Sequence, residues 1–196
     1  MCIRDRQTPR FSQEGTKGEF LSVELELKVL ADVGLVGLPN AGKSTLLSVM
    51  TTAKPKIADY PFTTLQPHLG IVKYGEYQSF VMADIPGLIE GASEGKGLGH
   101  QFLKHIERNK ILLFMIDIEE QKPIDVYNQL MDELVGFNKD LLEKDRLIIR
   151  TKKDTMSEDV NDRWSSFPEE FIDISSVSNQ GLDALKDKLV SFLSAS

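Results

Sequence analysis

Apolar and polar positions along the chain follow two periods, which predict strands alternating with helices. We expect strands buried on both faces wherever the apolar positions are nearly continuous: Val29–Gly37, Ile111–Ile118, Leu147–Ile149 and Phe171–Ile174. We expect amphipathic helices where apolar residues recur every three or four positions: Lys43–Met50, Leu98–Arg108, Ile124–Leu142, Glu158–Ser166 and Leu182–Leu193. This alternation is typical of βαβ units that build a parallel sheet.

Two further apolar segments, Leu69–Tyr74 and Gln78–Ala83, are separated by a short stretch that contains Gly75. A connection this short permits a hairpin but not a parallel crossover. The predicted fold class is therefore α/β, with three layers and a mostly parallel six-stranded sheet that contains one antiparallel strand.

The segment Leu21–Lys28 has a different pattern, in which apolar and charged or polar residues alternate. That pattern predicts a half-buried strand, and such a strand needs a partner sheet. The N-terminal residues Met1–Arg6 carry charges but precede no apolar stretch, so they are not a signal peptide. We interpret them as an artefactual start of a fragment, with a frayed native tail as the alternative.

Composition excludes several classes of protein. The chain has 196 residues, of which 41% are hydrophobic, and this is ordinary for a globular domain. No apolar run approaches the ~18–20 residues that a membrane-spanning helix needs. Cys2 is the single cysteine, so an internal disulfide is impossible. The net charge of −7 argues against whole-chain attraction to nucleic acid.

A phosphate-binding motif decides the chemistry. The sequence Gly37-Leu38-Pro39-Asn40-Ala41-Gly42-Lys43-Ser44-Thr45 contains GxxxxGK[ST], between a predicted strand and a predicted helix. In that context, backbone N–H groups and the helix N-terminus surround a phosphate. We expect Lys43 to contact the β- and γ-phosphates and the Ser44 hydroxyl to bind Mg²⁺.

A second candidate motif is Asp84-Ile85-Pro86-Gly87, which follows a predicted strand as DxxG should. We expect Asp84 to hold Mg²⁺ through a water and the Gly87 N–H to contact the γ-phosphate. By itself this tetrapeptide is more typical of a plain turn, but its position 40 residues after Ser44, with a predicted strand leading into it, favours the nucleotide-binding interpretation.

A third motif, Thr151-Lys152-Lys153-Asp154, fits the guanine-reading pattern [NT]KxD. The Asp154 carboxylate can accept hydrogen bonds from N1–H and N2–H₂ of guanine, a pair of donors that adenine lacks. The aliphatic stem of Lys152 is expected to lie along the base. The alternative is a charged helix start, where aspartate is common. A last segment after a predicted strand is expected to meet guanine O6 with its backbone: Ser175, Ser176 and Val177.

With these motifs in place, the sequence resembles the Obg family of GTPases. The resemblance lies in Leu27–Thr45, Ala58–Leu65, Ala83–Ala92 and Gly97–Arg108, and it extends over Leu25–Leu193. It implies a P-loop G domain at residues 29–196, preceded at residues 1–28 by the last strand of an N-terminal Obg-type domain.

The resemblance also implies roles for residues that the motifs do not settle. Thr64 would be an Mg²⁺ ligand and would act with Lys43 and Gly87 in catalysis, and Asp84–Gly87 would open the second switch. The first switch would consist of Phe62, Thr63, Thr64, Leu65 and Gln66. The implied function is hydrolysis of GTP to GDP and phosphate, by a cytoplasmic monomer acting in late assembly of the large ribosomal subunit. Guanosine tetraphosphate would tune this activity.

Two positions depart from the usual pattern. Thr151 replaces the family's usual asparagine and loses the amide that ties the base loop to the phosphate-binding loop, so we expect weaker nucleotide affinity. Leu88 stands where Ras-like enzymes have a water-orienting glutamine. Hydrolysis must then depend on phosphate electrostatics, on a cation such as K⁺ near Asn40, or on a partner. Glu90 and Glu94 are weaker candidates, because solvated loop acids are the more common situation.

Because of the leucine at position 88, a second function stays open. The chain would then be a nucleotide-sensing binding module that docks on a partner when GTP-bound and scarcely hydrolyses the GTP. A third, an ATP-using kinase, conflicts with Asp154. The residues His100, Lys104 and Arg108 share one face of a predicted helix. They form either a solvated face or a patch that contacts the RNA of the large ribosomal subunit.

Overall fold

A computed structural model of the chain describes residues 14–23, 31–52, 56–57, 68–84, 109–137 and 139–195. Its strands are β1 (Val33–Gly37), β2 (Lys56–Ile57), β3 (His68–Tyr74), β4 (Gln78–Asp84), β5 (Ile111–Asp117), β6 (Asp145–Thr151) and β7 (Phe171–Asp173). Its α-helices are α1 (Lys43–Met50), α2 (Pro123–Phe137), α3 (Val160–Trp164) and α4 (Leu182–Ala195). The described helices include none with the length and apolar character that crossing a bilayer requires.

Within the described residues the strands form one sheet in the order β2-β3-β4-β1-β5-β6-β7. β1 is parallel to β4 and β5, and β6 is parallel to β5 and β7. β3 pairs antiparallel with both of its neighbours, so it is the strand that runs against the others. The six predicted strands and the single reversed strand are thus present, and the two-residue β2 adds a seventh at the edge.

Helices cover both faces of the sheet and make the three predicted layers. On one face, the central strands pack against α2 and α3 through residues such as Leu130, Leu134 and Trp164. On the other face, they pack against α1 and α4 through Leu47 and Leu189, among others. The continuous apolar runs of β1 and β5 follow from this burial on both sides.

Two predicted helices are shorter in the structure. The predicted helix Ile124–Leu142 ends at Phe137 and is followed by a 3₁₀ segment at Lys139–Glu143. Gly136 lies in its last turn and Asn138 just beyond, and both have low helix propensity. The predicted helix Glu158–Ser166 is reduced to Val160–Trp164. The predicted helix Leu98–Arg108 lies outside the described residues.

The predicted strand Leu21–Lys28 is wrong over the part that the structure describes. Residues 21–23 are irregular, and Leu21 and Val23 are 80% and 72% exposed. No strand of the described sheet pairs with them, so the apolar side of the alternating pattern has nothing to pack against. Residues 24–28 lie outside the described part of the chain.

Candidate functional site

The predicted motifs converge at one edge of the sheet. β1, β4, β5, β6 and β7 are parallel, so their carboxyl ends meet at that edge, where open α/β sheets bind ligands. A cleft of about 390 Å³ opens there. It is lined by Asn40, Gly42, Lys43, Ser44, Thr45, Thr151, Lys152, Asp154, Thr155, Ser176 and Val177.

The phosphate-binding loop has the backbone form that its glycines predict. Gly37 packs so closely on β5 that a Cβ there would lie 2.7 Å from the Met115 carbonyl oxygen. Asn40 and Gly42 have positive φ angles of 65° and 92°, and Gly42 is the N-cap of α1. Gly42 has no side chain that could cap this helix, and the N–H groups of a helix N-terminus attract a phosphate.

The Lys43 side chain folds back over the start of this loop. Its ammonium donates hydrogen bonds to the carbonyl oxygens of Gly37, at 2.8 Å, and of Leu38, at 3.0 Å. These contacts hold a positive charge over the loop at the mouth of the cleft, where a phosphate would lie next to the helix N-terminus.

Ser44 and Asp84 meet although they are 40 positions apart in the chain. The Ser44 hydroxyl donates a hydrogen bond of 2.7 Å to Asp84 Oδ2 at the end of β4. Asp84 is 4% exposed, and its Oδ1 has no hydrogen-bond partner within the described residues. A buried carboxylate oxygen without a partner is costly unless a cation or a donor occupies the site. The hydroxyl and carboxylate oxygens form the hard donor set that Mg²⁺ prefers.

The segment Thr151–Asp154 begins at the last residue of β6 and enters the cleft. Thr151 is buried, and its hydroxyl donates to the Ile116 carbonyl oxygen at 3.3 Å, a contact with β5 rather than with the phosphate-binding loop. Lys152 has a left-handed backbone with φ 61°, and Lys153 begins a 3₁₀ turn. This turn places Asp154 at the cleft, opposite the phosphate-binding loop.

The segment after β7 supports Asp154 directly. Ser175 is fully buried, and its hydroxyl donates a short hydrogen bond of 2.5 Å to Asp154 Oδ1 while it accepts one from the Ser178 N–H at 3.1 Å. Ser176 and Val177 line the cleft itself. Gly181, with φ 74°, closes this loop where any Cβ would clash with the Asp173 carbonyl. Asp154 is therefore held in place before any ligand binds.

A buried ion pair fixes the two base-side segments to each other, and the sequence analysis missed it. Arg150 in β6 makes two hydrogen bonds, of 2.5 and 2.8 Å, to the Asp173 carboxylate in β7. Its guanidinium also lies 4.2 Å from the Phe171 ring centroid and 5.2 Å from that of Trp164. The sequence does contain a signal for this ion pair, because Arg150 lies within the apolar strand β6 and a buried arginine requires an acidic partner.

The end of β5 and the residues just after it include further polar side chains that the sequence analysis did not single out. Asp117 Oδ2 accepts a 2.6 Å hydrogen bond from the Lys152 ammonium. Glu119 accepts hydrogen bonds from Arg163 and from the Ser157 N–H and hydroxyl. The Arg163 hydrogen bond, followed by that from the Ser157 backbone, holds the pKa of Glu119 below its ordinary value.

Not every predicted residue lies at the main cleft. Leu38, Pro39 and Ala41 line a second cavity of about 120 Å³ behind the loop, which Asn40 and Lys152 also border. Lys153 lies beside the cleft rather than on its wall. The remaining candidates lie outside the described residues: Phe62, Thr63, Thr64, Leu65, Gln66, Ile85, Pro86, Gly87, Leu88, Glu90, Glu94, His100, Lys104 and Arg108.

Comparisons with known sequences agree with this geometry. A family model described as 50S ribosome-binding GTPase matches residues 32–152. GTPase Obg of Pelodictyon phaeoclathratiforme is 59% identical over 184 residues, covering 94% of this chain and 55% of that protein. GTPase Obg of Flavobacterium psychrophilum is 56% identical over 195 residues, covering 95% of this chain and 58% of that protein. The chain thus spans little more than half the length of the curated relatives it matches.

Comparisons with solved structures address the fold. The G domain of the T. maritima FeoB iron transporter superposes with a TM-score of 0.59 at 23% identity, covering 82% of this chain and 97% of that one. A variant of Aquifex aeolicus Era bound to GDP and AlF₄⁻ superposes with a TM-score of 0.61 at 24% identity, covering 85% and 57%. At these identities the likeness is one of fold, and it confirms the predicted G-domain fold class.

Proposed function

The chain belongs to the 50S ribosome-binding GTPase family and is similar to Obg GTPases, and we propose that it binds GTP in the cleft and hydrolyses it to GDP and phosphate. The family match confirms the resemblance that the motifs carried. The observation that most supports the proposal is the arrangement of one cleft between a phosphate-binding loop and Asp154. We assign this activity to a G domain at residues 29–196.

The proposed base site uses Asp154 as the reader of guanine. Its carboxylate oxygens have about four lone-pair positions, and the Ser175 hydroxyl uses one of them. Enough acceptors remain for N1–H and N2–H₂ of guanine. Because Ser175 already orients the carboxylate, little ordering is needed when the base enters.

The proposed phosphate site uses Lys43, the first-turn amides of α1 and a magnesium ion. Ser44 and Asp84 would hold Mg²⁺, since their oxygens meet and Asp84 Oδ1 has no partner among the described residues. When bound, Mg²⁺ would neutralise charge on the phosphates. Lys43 would place a positive charge beside the same oxygens. Thr64 and Gly87, outside the described residues, are proposed to complete this site.

We propose that the finer biological role is that of a switch in late assembly of the large ribosomal subunit. The family description, a 50S ribosome-binding GTPase, supports contact with the large subunit. The proposal includes a cytoplasmic, monomeric protein that contacts the large subunit or its RNA in the GTP-bound state and that responds to guanosine tetraphosphate. The competing proposal is a binding module that docks when GTP-bound without appreciable hydrolysis.

Intrinsic hydrolysis by the chain is expected to be slow, well below the about 1–10³ s⁻¹ of ordinary enzymes. The reason is that the leucine at position 88 has no group that could orient a water molecule. Single-turnover hydrolysis of GTP, with and without purified large ribosomal subunits, measures this directly. Leu88→Ala should leave the basal rate nearly unchanged.

Three outcomes of that experiment have distinct meanings. Stimulation by the subunits supports the switch. Binding to the subunits that depends on GTP, without hydrolysis in either condition, would favour the binding module. A fast basal rate in the absence of any partner would mean that another residue of the chain positions the water.

Hydrolysis is also expected to be faster in K⁺ than in Na⁺. Asn40 lines the cleft, and the N-cap of α1 is Gly42 rather than Asn40. A monovalent cation at Asn40 would stabilise charge that develops between the β- and γ-phosphates. Rates in KCl and NaCl at matched ionic strength test this, with Asn40→Ala expected to remove the difference. Equal rates of the unsubstituted chain in the two salts would contradict the proposal.

A further inference from the structure

Lys152 borders both the main cleft and the smaller cavity behind the phosphate-binding loop. We infer that Asp117, at the end of β5, is a positioning residue for the base site: it anchors the Lys152 ammonium so that the aliphatic stem of the lysine forms a wall for the face of the base. This inference rests on the proposed binding of guanine nucleotides.

The backbone and the side chain of Lys152 are held by different contacts. The Thr151 carbonyl accepts a hydrogen bond from the Ile118 N–H at 3.0 Å, and the Lys153 N–H donates to the Ile174 carbonyl at 2.9 Å. Both neighbours of Lys152 are therefore tied to adjacent strand ends. The Lys152 side chain is tied by its 2.6 Å contact with Asp117 Oδ2. A lysine stem has several rotatable bonds, so an anchored ammonium greatly reduces the positions available to it.

The far end of this loop, at Ser157, is held by a residue close to Asp117. Glu119, two residues after Asp117, binds the Ser157 N–H at 2.6 Å and its hydroxyl at 3.0 Å. Arg163 donates to the Glu119 carboxylate at 2.9 Å and to its carbonyl oxygen at 2.7 Å. Asp117 and Glu119 thus bind residues 152 and 157, and Asp154 lies between these two points of attachment. A loop held in this way is ordered before the nucleotide arrives.

The chemistry of the two contacts predicts a distinctive pattern of affinities. Asp154 reads the edge of the base, so its contribution depends on which donors the base carries. The Lys152 stem would contact the face of the base, so its contribution is the same for guanine and for hypoxanthine, which lacks the N2 amino group. Loss of Asp117 should therefore weaken both nucleotides by the same factor.

The ion pair is too exposed to matter much for folding. The side chains of Lys152 and Asp117 are 41% and 30% exposed, and pairs of this kind contribute little to stability in water. An effect of Asp117 on affinity can therefore be distinguished from a general loss of structure by thermal unfolding of the same variants.

The experiment measures dissociation constants for GDP and IDP by calorimetry on the 196-residue chain. The variants are Asp117→Asn, Lys152→Met and the double substitution, with Asp125→Asn as the matched control. Asp125 also pairs with a lysine, Lys122, but this pair is exposed and lies at the start of α2. Asp117→Asn should weaken GDP and IDP equally, by about three- to tenfold, without a shift in the unfolding temperature, because the amide oxygen still accepts from Lys152 but lacks the carboxylate charge that strengthens the bond. In the Lys152→Met background the same substitution should have no further effect, and Asp125→Asn should bind as the unsubstituted chain does.

Unchanged nucleotide affinity in Asp117→Asn would overturn the inference while the proposed function stands. So would an equal loss of affinity on Asp117→Asn in the unsubstituted chain and in the Lys152→Met background. A GDP-to-IDP ratio altered by Asp117→Asn would also overturn it, because Asp117 would then act on the edge of the base. Failure of the unsubstituted chain to bind GDP or GTP would instead overturn the proposed function, and the inference with it.

Discussion

Lys43→Ala is expected to abolish measurable binding of Mg·GTP while the fold survives. The Lys43 ammonium lies at the mouth of the cleft, where it would donate charge-assisted hydrogen bonds to phosphate oxygens. Two such bonds at about 1.5–3 kcal/mol each correspond to a loss of roughly 10²- to 10⁴-fold in affinity. The helix itself is anchored by Leu46, Leu47 and Met50, so circular dichroism and thermal unfolding should change little.

Ser44→Ala is the companion substitution, and it separates the metal from the phosphates. Ser44 touches Asp84 at the proposed magnesium site, so its loss should reduce the gain in GTP affinity that Mg²⁺ gives over EDTA. Ser48→Ala is the matched control, because the Ser48 hydroxyl is exposed on the same helix and donates to the Thr45 carbonyl. If both Lys43→Ala and Ser44→Ala retained magnesium-dependent hydrolysis, the assignment of the phosphate site would be wrong.

The elements that the sequence predicted well are those whose local pattern and tertiary environment agree. The helix Lys43–Met50 was predicted with its observed bounds, because a glycine start and apolar residues on one face specify it. β5 was predicted to within one residue, since a strand buried on both faces is a continuous apolar run. The P-loop and base-loop motifs lie at one edge because the topology of a parallel sheet brings strand ends together.

Features that depend on distant partners were not predictable in this way. The Lys152–Asp117 contact joins residues 35 positions apart, and nothing in the run before Asp117 marks it as a partner. The edge strand Lys56–Ile57 has two residues, too few for a periodic pattern. The opposite error occurred at Leu21–Val23, where a clear alternating pattern met no pairing strand in the described sheet. The hydrophobic pattern of a segment shows which face it could bury, but burial also requires neighbouring elements that cover that face.

Asp154→Asn is expected to change the base that the site prefers. Asp154 lines the cleft, and its carboxylate is an acceptor that matches the N1–H and N2–H₂ donors of guanine. Loss of one charge-assisted hydrogen bond costs about 1.5–3 kcal/mol, which weakens GTP by roughly 10- to 150-fold. The new amide can donate to the O2 of xanthine, so xanthosine triphosphate should gain relative to GTP.

The matched control for this substitution is Asp159→Asn. Asp159 lies a few residues further along, at the N-cap of α3, where its side chain makes no capping hydrogen bond. It should therefore leave both affinities unchanged.

The ratio of the two dissociation constants is the informative quantity, because an unfolded or distorted site would weaken both nucleotides together. The Ser175 hydroxyl donates a hydrogen bond to Asp154 Oδ1. The same hydroxyl can donate to the amide oxygen of an asparagine at position 154, so the base loop keeps this hydrogen bond in the variant. A loss of affinity for GTP with a gain for the xanthine nucleotide then has one physical reading, which is a reversal of donor and acceptor at the edge of the base. An unchanged preference in Asp154→Asn would show that Thr151–Asp154 does not read the base, and the specificity for guanine would have to come from another part of the chain.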